Sequence, residues 1–246
     1  MASWNPLSWW RGFLALSNDT PAKTLGITLL VALACSLVVS LTAVALKPRH
    51  DANRLADSVA HIEGIVDLLG GGLPDTRFVD LASGAYVDRD PGTRTTVPDG
   101  RDLAGLGERE DVATVFELRE GGVVTLLILP VRGTGYQSTL KAYLALKADL
   151  NTVAALVFYE QGETPGLGSR IEEREWQDLW PGKQLADADG AIQIEVAKGA
   201  GSGVHQVDAV SGATRTTTGV TRLLRFWLGP DGYGPYLQRL RTERAR

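Results

Sequence analysis

An uninterrupted apolar run from Leu25 to Leu46, LGITLLVALACSLVVSLTAVAL, constrains this chain more than any other feature. It holds no charge and no proline. As a helix rising about 1.5 Å per residue, it is long enough to cross the roughly 30 Å hydrocarbon core of a bilayer. A secretory signal would have a shorter apolar core and a small-residue cleavage site near the N-terminus. The sequence therefore predicts one membrane-spanning helix, with Cys35 inside it as a small apolar group. Trp4, Trp9, Trp10, Phe13 and Leu14 precede the run and suit a membrane interface. Arg11 and Lys23 flank one end; Lys47, Arg49 and Arg54, diluted by Asp51 and Asp57, flank the other. Charge alone leaves the orientation open. The expected division is an interfacial segment 1–24, a span 25–46 and a body 47–246.

The body reads as α+β. Leu55, Val59, Ile62, Val66 and Leu69 recur at helical spacing, which predicts a helix over 51–72 stopped by Gly70-Gly71-Gly72. The period then changes to two. Residues 77–81 and 85–88 flank Ala82-Ser83-Gly84 as a hairpin would, and 88–107, rich in Asp, Arg, Gly and Thr, reads as an exposed loop. Strand-type runs follow at 112–118, 123–129, 140–148, 153–160 and 192–198. Val220, Leu223, Leu224 and Trp227 mark one face of a late helix ended by Gly229-Pro230. The expectation is a mainly antiparallel sheet with flanking helices.

Composition removes several functions. The net charge is −4, with 25 basic and 29 acidic residues, which argues against nucleic acid as a partner. A single cysteine forms no internal disulfide, CxxC pair or thiolate-held iron–sulfur cluster. His50, His61 and His205 stand far apart and outside any metal-binding spacing. Redox chemistry in this chain would need an organic cofactor.

Two stretches are candidates for a site. Glu163-Thr164-Pro165-Gly166-Leu167-Gly168 follows a strand; its proline extends the residue before it, and its glycines allow close approach of a planar ligand. A plain strand-to-loop turn accounts for it equally well. Asp208-Ala209-Val210-Ser211-Gly212-Ala213-Thr214 opens the late helix, whose unpaired N–H groups favour an anion. Ser211 or Thr216 could cap that helix, and a polar helix start explains the pattern on its own. Gly133, Gly135 and Ser138 fall one glycine short of GxGxxG, and the glycine-dense 199–203 reads as a mobile loop. A hydrolase using Thr214 as nucleophile would need a neighbouring base that the sequence does not offer.

Asp208-x-x-Ser211-Gly212-Ala213-Thr214 resembles the pattern at which a flavin transferase esterifies FMN to threonine. Glu163 to Gly168 resembles the second signature of the same FMN-binding domain, and residues 136–146 and 157–162 are similar to it as well. The resemblance runs from the span to about Trp227. It is closest to the family of C subunits of sodium-translocating NADH:quinone oxidoreductases. The G subunit of the ion-translocating ferredoxin:NAD oxidoreductase shares both signatures and is the alternative; a cofactor-free membrane-anchored scaffold is a remote one. Tyr136 stands where the family often has tryptophan.

The resemblance implies an FMN carried covalently through Thr214. Ser211, Gly212 and Ala213 would lie near the phosphate and the Thr164 to Gly168 loop near the ring, with Glu163, Thr164, Gly166 and Leu167 among the cofactor-binding residues. It further implies partner subunits in a larger membrane complex, electron relay from NADH toward quinone coupled to sodium export, and maturation by the transferase. By the same analogy the flavin domain lies on the periplasmic side of the bacterial inner membrane.

Overall fold

The computed structural model describes Ala15, Ser17 and residues 20–68 and 72–244; the aromatic cluster before the apolar run lies outside them. The chain divides into two compact units, Met1–Asp57 and Ser58–Arg246. In the first, Lys23–Lys47 is the one helical stretch among the described residues long and apolar enough to cross a membrane, with a mean hydropathy of 2.6 and none of its most apolar window buried. Thr28 and Thr42 return their hydroxyls to the carbonyls of Thr24 and Val38 one turn earlier, so the run exposes little unpaired polarity. The helix, α1, is continuous over Pro21–Leu68, where the sequence had suggested a span and then a separate helix from 51.

In the second unit, a five-stranded antiparallel sheet has the order β1-β4-β5-β6-β7. Its strands are β1 (Asp75–Asp80), β4 (Val112–Glu120), β5 (Val123–Thr134), β6 (Thr139–Lys147) and β7 (Val153–Glu160). Gly121 and Gly122, at φ +57° and +85°, make the tight β4–β5 turn that two left-handed residues allow. Successive β5 side chains feed opposite layers, Leu127, Leu129 and Val131 on one face and Leu126 and Ile128 on the other. The central strands therefore read as near-continuous apolar runs instead of alternating ones. Ile65 and Val66 cover the second layer; the side chains of Leu55, Val59, Ile62 and Leu69 lie outside the described ones.

The first layer is covered by α3 (Thr214–Leu228) and α4 (Gly234–Arg244), with the short α2 (Arg174–Gln177) beyond. Thr216, Thr217 and Thr218 are weak helix formers, so α3 depends on packing. Val220, Leu223, Leu224 and Trp227 are buried against the sheet, each contributing on the order of 1.5–3 kcal/mol. Trp227 Nε1 donates to Arg132 O at 2.6 Å.

Several expectations need correction. The predicted hairpin is shorter than expected: a Val79–Tyr86 bridge with Asp80 N donating to Ala85 O and Val87 N to Phe78 O, while the other edge of β1 pairs along its length with β4. The 88–107 loop contains β2 (Arg94–Thr96), paired with β3 (Glu108–Glu110), and buries Val97 and Ala104. The run at 192–198 yields only β8 (Glu195–Val196), parallel to β9 (Gln206–Val207). The strongly polar α4 had no apolar stripe to announce it.

Candidate functional site

The site gathers where three connections meet: the β5–β6 turn, the loop after β7 and the start of α3. The loop after β7 supplies Glu163, a buried carboxylate. It accepts hydrogen bonds from the backbone N–H groups of Tyr136, Gln137 and Ser138 at 3.0–3.1 Å. Ser138 Oγ donates to it at 3.0 Å and Thr216 Oγ1 at 2.6 Å. Burial pushes the carboxyl upward, but the bonds from Thr216, from the Gln137 and Tyr136 N–H groups and from Ser138 outweigh it. They hold the group below its usual 4.5. Glu163 is thus the rivet joining all three connections. It is not among the residues that line the hollows beside them.

Close backbone approach does the rest. A Cβ on Gly168 would stand 2.6 Å from Thr216 Oγ1 and 2.8 Å from Glu163 Cβ, and one on Gly219 2.6 Å from Thr134 O. Larger residues at either position would push α3 off the turn. Gly212, at φ +77°, folds the Ser211–Ala213 segment toward Leu167; Gly166, at φ +73°, turns the 164–168 loop.

Between these parts lie two adjoining hollows. The first, of about 280 Å³, is lined by Tyr136, Thr164, Leu167, Gly168, Gly212, Ala213, Thr214, Arg215 and Thr216. The second, of about 320 Å³, is lined by Gly135, Tyr136, Thr214, Arg215, Thr218 and Arg222. Thr214 borders both. Tyr136, 48% exposed, and Leu167, 44% exposed, form the rim, and the Arg215 guanidinium stacks 5.2 Å from the Tyr136 ring centre. Of the eight residues expected at a cofactor site, Thr214, Gly212, Ala213, Thr164 and Leu167 line the hollows, whereas Ser211, Glu163 and Gly166 do not.

The threonine run at the start of α3 separates by environment. Thr216 is buried and gives its hydroxyl to Glu163. Thr217 is buried and bonds Ala213 O at 3.2 Å. Thr218 donates to Thr214 O at 2.7 Å. Thr214 alone in the run is exposed with a hydroxyl that has no protein partner among the described residues. Neither Ser211 nor Thr216 caps the helix: Ala213 holds the cap position, without a side-chain bond. The first backbone bond is Thr217 N to Ala213 O, so the N–H groups of residues 214–216 have no partner within the helix. Asp208, the first residue of the motif, instead accepts from Gly201 N at 2.7 Å and steadies the glycine-dense loop. Sequence reasoning passed over Arg215, Thr218 and Arg222; the i, i+4, i+8 spacing of Thr214, Thr218 and Arg222 was the available signal.

Residues 135–229 match the model of the FMN-binding domain family. The chain is 39% identical to the C subunit of the Na(+)-translocating NADH-quinone reductase of Pseudomonas aeruginosa, over 93% of this chain and 99% of that one. It is 35% identical to the C subunit from Neisseria meningitidis, over 93% and 98%. The crystal structure of Shewanella oneidensis NqrC resembles it with a TM-score of 0.65 at 32% identity, over 72% of this chain and 87% of that one.

Proposed function

Because the chain belongs to the family of C subunits of Na(+)-translocating NADH-quinone reductases, we propose that it is the electron-relay subunit of such a complex, with one FMN esterified to Thr214. A single observation carries the attachment point: Thr214 offers the one free, exposed hydroxyl of its run, at the border of two hollows. The hollows fit the group. Each lies at the lower end of small-molecule sites, about 300–1,000 Å³, and together they have room for a ring on one side of the tether and a phosphoryl on the other. Leu167, Tyr136 and the glycine backbone at 168 and 212 offer apolar and flat surface for a ring. The open N–H groups of 214–216 and the nearby arginines favour a phosphoryl.

FMN, when bound, supplies the electron chemistry. The protein's own residues position it. Thr214 is the anchor. Glu163 keeps the β5–β6 turn and α3 at fixed separation, so that Tyr136 and Leu167 remain on opposite rims. Residues 25–46 form the membrane span, with 1–24 on the cytoplasmic side and 47–246 as the flavin domain outside. Maturation requires a flavin transferase, and electrons reach and leave this chain through neighbouring subunits of an NADH-oxidising, quinone-reducing, sodium-moving complex.

The test is purification from the native host, complete denaturation, and in-gel flavin fluorescence with peptide mass mapping. The expected result is a fluorescent band carrying one FMN on the Thr214 peptide, and a dark, inserted, folded Thr214→Ala protein. A Thr214→Ala band that still fluoresces, or a dark wild-type band from a host that flavinylates other proteins, would refute the reading.

A further inference from the structure

The second hollow differs from the first in its charge. Arg215 and Arg222 both line it, together with Thr218 and Thr214. Most of the described arginines elsewhere on the body find carboxylates: Arg132 pairs with Glu110 at 2.7 Å, and Arg225, on the same helix, pairs with Glu195 at 3.0 Å. Among the described residues neither Arg215 nor Arg222 forms an ion pair. Arg215 rests only on the Tyr136 ring. The site's own carboxylate, Glu163, is turned into the β5–β6 turn and spent on its donors. Two positive charges thus border one hollow without a counter-charge.

Their placement on the helix is specific. Arg215 and Arg222 are seven residues apart, two turns along one stripe of α3. Arg222 begins eight residues beyond Thr214, and helical side chains lean toward the N-terminus, which brings its guanidinium over Thr218 and into the hollow that Thr214 borders. An ester on Thr214 Oγ1 would put its charged oxygens two P–O bonds from that hydroxyl oxygen. The Thr218 hydroxyl, by contrast, is already committed to Thr214 O.

The geometry points to Arg215 and Arg222 as a two-armed clamp for the phosphodiester that tethers the flavin, acting as positioning residues. This rests on the attachment proposed above and adds which side chains neutralise the tether and on which side of Thr214 it lies. The first hollow is left for the ring. Guanidinium groups suit the role because they stay charged and present several donors to phosphoryl oxygens.

Two measurements test it. First, unflavinylated full-length Thr214→Ala protein is titrated with FMN and with riboflavin, which share a ring and differ in the phosphate. FMN should bind more tightly, and Arg215→Gln with Arg222→Gln should erase that preference, by roughly two- to fivefold per arginine for exposed pairs. Second, ³¹P NMR of the flavinylated full chain should show the tether resonance shifted by Arg222→Gln and largely restored by Arg222→Lys. Arg225→Gln, which removes an equal charge from the same helix but breaks the Glu195 pair, should leave it in place. Equal affinities for the two flavins, or a resonance that ignores Arg215→Gln and Arg222→Gln or responds as strongly to Arg225→Gln, would overturn the clamp. If Thr214→Ala binds neither flavin, the ³¹P result decides alone. Failure of the clamp leaves a fluorescent covalent flavin, whereas failure of the attachment itself leaves none.

Discussion

Removing the Glu163 side chain is the sharpest perturbation available, because one carboxylate joins three connections. Glu163→Ala leaves the N–H groups of Tyr136, Gln137 and Ser138 and the hydroxyl of Thr216 without their acceptor. A stranded donor costs about 1–3 kcal/mol. The turn is partly exposed, so water replaces much of the lost acceptor for the three backbone donors, which together with the buried Thr216 hydroxyl cost about 3 kcal/mol. In a body of this size that lowers the melting temperature by roughly 6–12 °C. Glu163→Gln keeps the shape but offers one acceptor oxygen and turns an NH₂ toward donors, so about half that loss is expected. Thermal unfolding of the full chain in detergent, followed by near-ultraviolet circular dichroism, reads the effect.

Its pH dependence separates charge from shape. The folded carboxyl sits below its usual 4.5, so its stabilisation is present above that value. It is lost as the pH falls through the folded value, where the unfolded chain has already taken up a proton. The gap between wild type and Glu163→Gln should therefore be constant near neutrality and close in acid. A Glu163→Ala melting temperature within about 1 °C of wild type, or a gap that persists unchanged at low pH, would refute the rivet.

Other perturbations test the surroundings. Gly168→Ala should destabilise by about 1–3 kcal/mol and lower flavin content, since its Cβ would meet Thr216 and Glu163 below 3 Å; chemical denaturation and the flavin-to-protein absorbance ratio check both. Trp180 is fully buried and its Nε1 has no partner among the described residues, so Trp180→Phe trades lost volume for the removal of a stranded donor. It should cost less than a typical Trp→Ala truncation, about 3–5 kcal/mol, by at least half; an equal loss in urea unfolding would mean the indole nitrogen is satisfied.

The legible part of this chain is what local pattern determines. The apolar run declares its length and lack of charge in any context. β7 is bounded as its sequence suggests, at Val153 and Glu160, because a β-rich stretch ends at Gly162 and Pro165. β4 and β5 are set by the glycine pair between them. What local pattern could not give were relations across distance. Glu163 and the N–H groups it accepts lie 25–27 residues apart, and Thr216 lies 53 away. A glutamate beside a Thr-Pro-Gly motif looks like a ligand until the turn it holds is seen. Thr216 reads as a cap by position, but its hydroxyl faces the core. β8, two residues long, is strand only because Gln206–Val207 lies alongside, and α4 is helix because Tyr236, Leu237 and Leu240 are buried.

The same geometry gives a physical reason for the covalent tether proposed at Thr214. Both hollows have the exposed Tyr136 at the rim, the first the exposed Leu167 as well, and each is at or just below the small end of sites that enclose a ligand. A flavin seated there keeps much of its surface in water, so the apolar area it buries offers modest affinity, and binding also costs rigid-body freedom. An ester to Thr214 removes most of that cost by making association intramolecular, at an effective concentration in the millimolar range or above. In the proposed relay, the exposed edge that weakens binding is the edge through which electrons would pass to a neighbouring carrier. A deeper pocket would hold free FMN better and bury that edge. Under that proposal, selection of Thr214 over Thr216, Thr217 and Thr218 needs no special recognition of sequence at the hydroxyl itself, because burial and internal hydrogen bonds have already withdrawn the other three.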